Sequence, residues 1–244
     1  MDVDELAKAL RNLTAYDISP VFDTNMPGWP SHPTMGIIRD ARNYEQNGYF
    51  AQTLVMSEHT GSHVDAPAHN HPTMADATIE TYPVSYLLGP YKKYDLSDLQ
   101  LGPGDTVGLE ALHHVEARDG FRVEADDVVL IQYGWDAHYH ADASHTGRRW
   151  WGSNEPGLSE EACRYFADAH VRAVGSDTAA CDIAEVDGQV KAAHGHSKYF
   201  LPNHILIIEG LQNLGNAPPT GLFIALPLKI RGGSGSPIRP MLLA

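Results

Sequence analysis

The chain has 244 residues, 43% of them hydrophobic and 20% charged, and a formal net charge of −14. This composition supplies one sizeable globular core and excludes a largely disordered chain. The acidic balance excludes nucleic acid or an anionic membrane surface as partner.

The two cysteines, Cys163 and Cys181, form no C-x-x-C pair and are too few for a disulfide framework, so a reduced, cytoplasmic setting is expected. The opening "MDVDELAKALRNL" is acidic and amphipathic rather than a basic leader, and no run approaches eighteen apolar residues. Neither a secretory signal nor a membrane span is predicted.

In "DELAKALRNL", Leu6, Ala9, Leu10 and Leu13 recur at helical spacing, which predicts a short opening helix. "YDISPVFDTNMPGWPSHP" reads as a short strand followed by an irregular segment, because proline, glycine and aspartate break it. "YFAQTLVMSEH" is β-prone and leads as a strand into a histidine-rich stretch. "TIETYPVSYLLG" gives a turn and strand, and "YKKYDLSDLQLGPGDTVGLEALHH" a strand, turn and helix. "DDVVLIQYGW" is the clearest strand, an unbroken apolar run expected to be buried on both faces. "HYHADASHTGRRWWGSNEPG" lacks periodicity and reads as a long loop over 136–157.

"LSEEACRYFADAH" is a helix with Ser159 as N-cap and Ala162, Cys163, Phe166 and Ala169 on its inner face. "VRAVGSDT", "NHILIIEGL" and "GLFIALPLKI" are three further strands, and "RGGSGSPIRP" reads as a glycine-rich turn. With no internal repeat and no break in composition, residues 1–244 are expected to form one α/β domain with a strand-rich core.

The chemistry concentrates in "HTGSHVDAPAH", residues 59–69. His59, His63, Asp65 and His69 fall within eleven residues interrupted by Gly61 and Pro67, which argue against a helix. A turn at Thr60–Ser62 brings His59 and His63 together, and Asp65 shares a side with His63 if the chain there is extended. Two imidazoles and a carboxylate suit zinc, manganese or iron and leave coordination positions open. His69, just beyond them, is placed to accept a proton from a water whose pKa a bound ion lowers from about 15.7 towards roughly 7. A structural metal site is the poorer reading, because such sites favour four closed ligands including cysteine.

Other signals are weaker. His138, His140 and His145 lie in the polar loop without a carboxylate pattern, and His113 and His114 are adjacent and read as ordinary. "GGSGS" lacks the strand and helix context of a nucleophile elbow. Both cysteines are expected to pack in the core. Trp29, with Met26 and Pro27, is a candidate apolar wall for an aromatic substrate, and Trp150 and Trp151 are a second one, reaching towards a neighbouring subunit.

His59, Gly61, Ser62, His63, Asp65, Pro67 and His69 also match every fixed position of H-x-G-[ST]-H-x-D-x-P-x-H. By this motif the chain resembles the cyclase family of metal-dependent hydrolases, which includes bacterial kynurenine formamidases and isatin hydrolases. "YDISPVFDTNMPGWP", "GSDTAACD", "HILIIEGLQNL" and "LPLKIRGGSGSPIR" extend the resemblance over most of the chain.

The resemblance implies a swivelling β/β/α fold, usually assembled as a homodimer or homotetramer. It implies His59, His63 and Asp65 as ligands of a divalent metal, Mn2+ or Zn2+, and His69 as catalytic acid/base. It further implies a possible second ion held by Glu209 and a downstream histidine: His196, thirteen residues before Glu209, with His194 and His204 as competitors. The implied activity is hydrolysis of a C–N amide bond in a small aromatic amide or lactam. Opening of an isatin-like lactam and deformylation of an aryl formamide such as N-formylkynurenine are the two versions. A metal- or ligand-binding module without turnover is the rival from another class.

Overall fold

In the computed structural model, which describes residues 2–139 and 150–244 and only the backbone of Asp40 and Ala41, the mixed α/β reading with a strand-rich core holds. In chain order the strands are β1 (Ala15–Asp17), β2 (Gly36–Arg42), β3 (Ala51–Val55), β4 (His63–Asp65), β5 (Leu88–Asp95), β6 (Thr106–Val107), β7 (Val128–Gln132) and β8 (Gly157–Leu158). They continue as β9 (Ala173–Ser176), β10 (Ala184–Val186), β11 (Gln189–Ala192), β12 (Leu206–Glu209), β13 (Thr220–Ile224), β14 (Gly235–Pro237) and β15 (Met241–Leu243). Nine of these form one sheet in the order β1-β15-β13-β5-β7-β9-β12-β4-β14. β5, β7, β9 and β12 run parallel at its centre, and antiparallel strands flank them on both sides.

The central strands are apolar on both faces because both faces are covered. On β7, Val129 and Ile131 join one core with Phe166, Cys163 and Leu112, which belong to the helices Glu160–Asp168 and Leu109–Asp119. Val128 and Leu130 point into a second core with Ile18, Tyr91, Ile208 and Phe223. The helix Glu160–Asp168 begins as its sequence predicts, with Ser159 Oγ accepting the Ala162 N–H. The opening helix, Val3–Arg11, has a reciprocal Asp2/Glu5 capping box but buries no residue of its own.

Two expectations need correction. "RGGSGSPIRP" turns only at its start; Gly235–Pro237 then pairs with β4 as the edge strand of the main sheet. An edge tolerates Pro237, and Gly235 is needed because a Cβ there would lie 2.6 Å from the Val64 carbonyl and 2.7 Å from the His59 ring. Trp151, rather than reaching outwards, is 2% exposed in the chain's own core, whereas Trp150 stacks on Trp135 at the surface. His138 packs against both Trp135 and Trp150, and His140 and His145 lie outside the described residues. Among the described residues no helix is long and apolar enough to cross a membrane.

Candidate metal centre

The histidine stretch lies between two strands at one side of the sheet. Gly61 makes the turn that joins His59 to β4, with φ +63; a Cβ there would also strike the Phe22 ring at 2.4 Å and Met26 Cε at 2.7 Å. β4 pairs with β12 so that His63 stands opposite Glu209 and Asp65 opposite Ile207. As the extended-chain reading requires, His63 and Asp65 lie two apart on one strand and share a face. His69 follows on the short 3-10 turn Pro67–His69.

The side chains converge. His59 Nδ1 lies 2.6 Å from Asp65 Oδ1, and His63 Nε2 lies 3.5 Å from Asp65 Oδ1 and 3.1 Å from Glu209 Oε2. His196 Nε2 is 3.6 Å from Asp65 Oδ2 and 3.3 Å from Glu209 Oε1, and His69 Nε2 is 3.9 Å from Asp65 Oδ2. Of the three downstream histidines it is therefore His196 that stands beside Glu209. His204 is exposed and bonds the Tyr82 hydroxyl, while His194 contributes backbone contacts to the following turn.

Supporting groups fix these rings. His63 Nδ1–H donates to the Gly61 carbonyl (2.8 Å), which leaves Nε2 as the free nitrogen. His196 sits on the π-helical turn Gly195–Tyr199, with its Nδ1 2.5 Å from Asp182 Oδ1, while the same carboxylate accepts the Gly195 N–H. The His71 ring is bonded to the His196 carbonyl (2.7 Å). His59 Nε2 is 2.8 Å from Ser234 Oγ, which donates to Glu58, and Glu209 Oε1 accepts the Cys181 N–H. Asp182, His71, Ser234 and Glu58 went unnoticed as site residues, because only folding brings them to the stretch. The signal for Asp182 was its place in "GSDTAACD", which carries part of the family resemblance.

The buried imidazoles and carboxylates of the site stabilise one another's charged forms. Burial would raise Asp65, but His59, His196 and His63 hold it well below the usual carboxylate range. Burial would lower His63, but the Glu209 and Asp65 carboxylates push it up to about 9, and Asp182 likewise drives His196 upwards against its burial. The charge of two buried carboxylates is thus balanced by protonated imidazoles, and a bound divalent ion would displace those protons. His63 Nε2 and Asp65 Oδ2 are buried without a hydrogen-bond partner among the described residues, which fits atoms reserved for a ligand. His59, Asp65 and His69 form one group, and His63, Asp65 and Glu209 another, whose donor atoms all lie within 4.8 Å of each other. These nitrogen and oxygen donors fit a divalent transition metal.

His69 differs from the other rings. Burial lowers its pKa, with Asp65 opposing, so it stays neutral and can accept a proton. Beside it, Met26, Pro27, Trp29, His32 and Met35 line a cavity of about 200 Å³ that reaches His59 and Gly61. Trp151, Tyr139 and Trp29 close a narrower crevice against His63. Both cysteines are buried, and burial pushes their thiols up, which suits packing rather than attack.

The chain is similar to known proteins over most of its length. The isatin hydrolase of Roseibium aggregatum is 27% identical to this chain, over 95% of this chain and 87% of its own length. The kynurenine formamidase of Erythrobacter litoralis is 28% identical over 93% of this chain and 92% of its own. Isatin hydrolase A from Ralstonia solanacearum has the same fold, with a TM-score of 0.86 over 100% of this chain and 97% of that one at 24% identity. The sequence model of the Cyclase family matches residues 16–183, a span that runs from the tryptophan wall through the histidine stretch to Asp182. On that match, this chain belongs to the Cyclase family.

Proposed function

We propose that the protein is a metal-dependent hydrolase that cleaves a C–N amide bond of a small aromatic substrate, opening an isatin-like lactam. The observation that carries this is the buried group of His63, Asp65 and Glu209 with unpartnered donor atoms, next to a neutral His69 and an aromatic-walled cavity. In this reading His59, His63 and Asp65 hold a divalent metal, Mn2+ or Zn2+, with His196 and Glu209 available to a second ion. When bound, such an ion polarises a carbonyl and acidifies water.

The chain's own residues supply the rest. Trp29, Met26 and Pro27 receive the aryl ring and orient the amide towards the ligand cluster. His69 Nε2 takes the proton of the attacking water and returns it to the departing nitrogen. Asp182 keeps the His196 ring in one tautomer and orientation. No side-chain nucleophile is required, which agrees with the inert state of both cysteines. The setting is the cytoplasm, and the working unit is a homodimer or homotetramer.

Lactam opening is preferred over deformylation because isatin hydrolases stand among both the sequence relatives and the structural neighbours. The similarity to kynurenine formamidases, with an acid present at Glu209, keeps deformylation of an aryl formamide as the second reading. Ultraviolet-monitored hydrolysis of isatin and N-formylkynurenine, side by side on metal-loaded protein, separates them. Faster loss of isatin is expected; loss of N-formylkynurenine alone would transfer the assignment, and loss of neither would remove both substrates.

A further inference from the structure

His32 stands in the wall of the substrate-side cavity on the segment that follows Trp29. Its ring centroid is 5.5 Å from that of His59 and 6.5 Å from that of His69, the two of which are 4.1 Å apart. It therefore shares the cavity with His59 and lies close to the proposed acid/base. Its Nδ1 is shielded from solvent and has no hydrogen-bond partner among the described residues. Natural proteins leave few buried polar atoms unsatisfied, and one in a cavity wall beside the reacting groups marks where a ligand atom belongs. The two prolines flanking it nearby, Pro30 and Pro33, restrict the backbone that presents it.

We propose that His32 is a substrate-positioning residue whose Nδ1–H donates to an oxygen on the carbon next to the scissile carbonyl, so that the site selects vicinal dicarbonyl amides. This rests on the hydrolase reading above. Isatin carries such an oxygen, the ketone adjacent to its lactam carbonyl. A simple aryl formamide has only hydrogen on the formyl carbon and offers nothing there to accept the bond. A site built to satisfy a buried polar group discriminates against an analogue that leaves it unpaired. His32 takes no part in proton transfer; it acts by holding the substrate.

The test compares wild type with His32→Ala and His32→Asn, each loaded with metal, on isatin and on formanilide. Elemental analysis and thermal melting accompany the kinetics. Calorimetric binding of isatinate, the ring-opened product that keeps both carbonyl groups, gives a readout independent of turnover. His32→Ala is expected to raise KM for isatin and weaken isatinate binding by about tenfold, the scale of one hydrogen bond with its partner left unpaired. KM for formanilide should stay within about twofold, and kcat for isatin should change less than KM. His32→Asn, whose amide nitrogen falls near the position of Nδ1, should recover most of the isatin affinity.

Equal effects on both substrates, unchanged isatinate binding, or loss of metal from the variants would overturn the proposal while leaving the hydrolase reading intact. If wild type turns over neither substrate, that reading fails separately, and isatinate binding alone decides. A loss of affinity confined to His32→Ala would sustain the positioning role, and no binding to wild type would overturn it.

Discussion

On the ligand side of the site, His63, Asp65 and Glu209 stand on two strands whose register is fixed by pairing, with β14 closing the edge beyond them. On the substrate side, Met26, Pro27, Trp29 and His32 stand on a proline-rich segment whose backbone bonds are local, Met26 to Asp23 and His32 to Trp29. The first region tolerates no slip, because a shift of one residue would turn His63 and Asp65 to the other face of the sheet. The second is held by side-chain packing instead: Met26 and Met35 are buried in the core, and Trp29 packs against it. The comparison teaches that the donor cluster is set by strand register, whereas the cavity wall beside it is set by the packing of a loop segment.

The comparison can be broken most sharply at Asp65, which approaches His59, His63, His69 and His196. Asp65→Ala is expected to abolish metal retention and to lower kcat/KM by at least the order of 10³-fold, since the ion's charge stabilisation amounts to several kcal/mol. Elemental analysis with steady-state kinetics checks this. His69→Ala should lower kcat by about 10²- to 10⁴-fold while the metal stays bound. Near-normal turnover in that variant would remove its proton-transfer role. Asp182→Asn touches only the support of His196, and a loss of about 10- to 100-fold in metal affinity or activity is expected. On the opposite wall, Trp29→Ala should raise KM by about tenfold and leave kcat and metal content nearly unchanged.

An effect on stability rather than on activity is expected in the frame behind the cluster. Asp177 accepts the Tyr133 and Trp135 N–H groups, yet burial, reinforced by Asp136, pushes its carboxyl up to about 7. The folded protein therefore binds a proton that the unfolded chain, with a carboxyl near about 3.9, has already lost. Stability attributable to Asp177 is then greatest at low pH, declines as pH rises from about 4 to about 7, and is flat above. The melting temperature of wild type relative to Asp177→Asn should follow that course in a pH series.

The same contrast explains what could be read from the sequence. The four residues of the histidine stretch were legible because a single turn and a short strand carry them, so local spacing already fixes their relation. The strand Val128–Gln132 and the helix Glu160–Asp168 were legible from an unbroken apolar run and from a cap with an inner face. Glu209 emerged only through resemblance, since its meeting with His63 depends on pairing between strands far apart in sequence. His71 and Ser234 had no local signal, and Asp182 only its place in a segment that carries the family resemblance, because polar side chains that support others look ordinary until the chain folds. β14 was hidden by its glycines and serines, which lack strand propensity; its place comes from close approach to His59 and Val64.

The most direct test is a titration of chelated protein with Mn2+, and separately Zn2+, following bound ion and isatin hydrolysis together, in wild type and in Asp65→Ala. Hydrolysis that is absent from the chelated protein and rises in proportion to bound ion in wild type alone is the predicted result. Full turnover by chelated protein, or equal ion binding and turnover in Asp65→Ala, would contradict the assignment of the metal to this cluster.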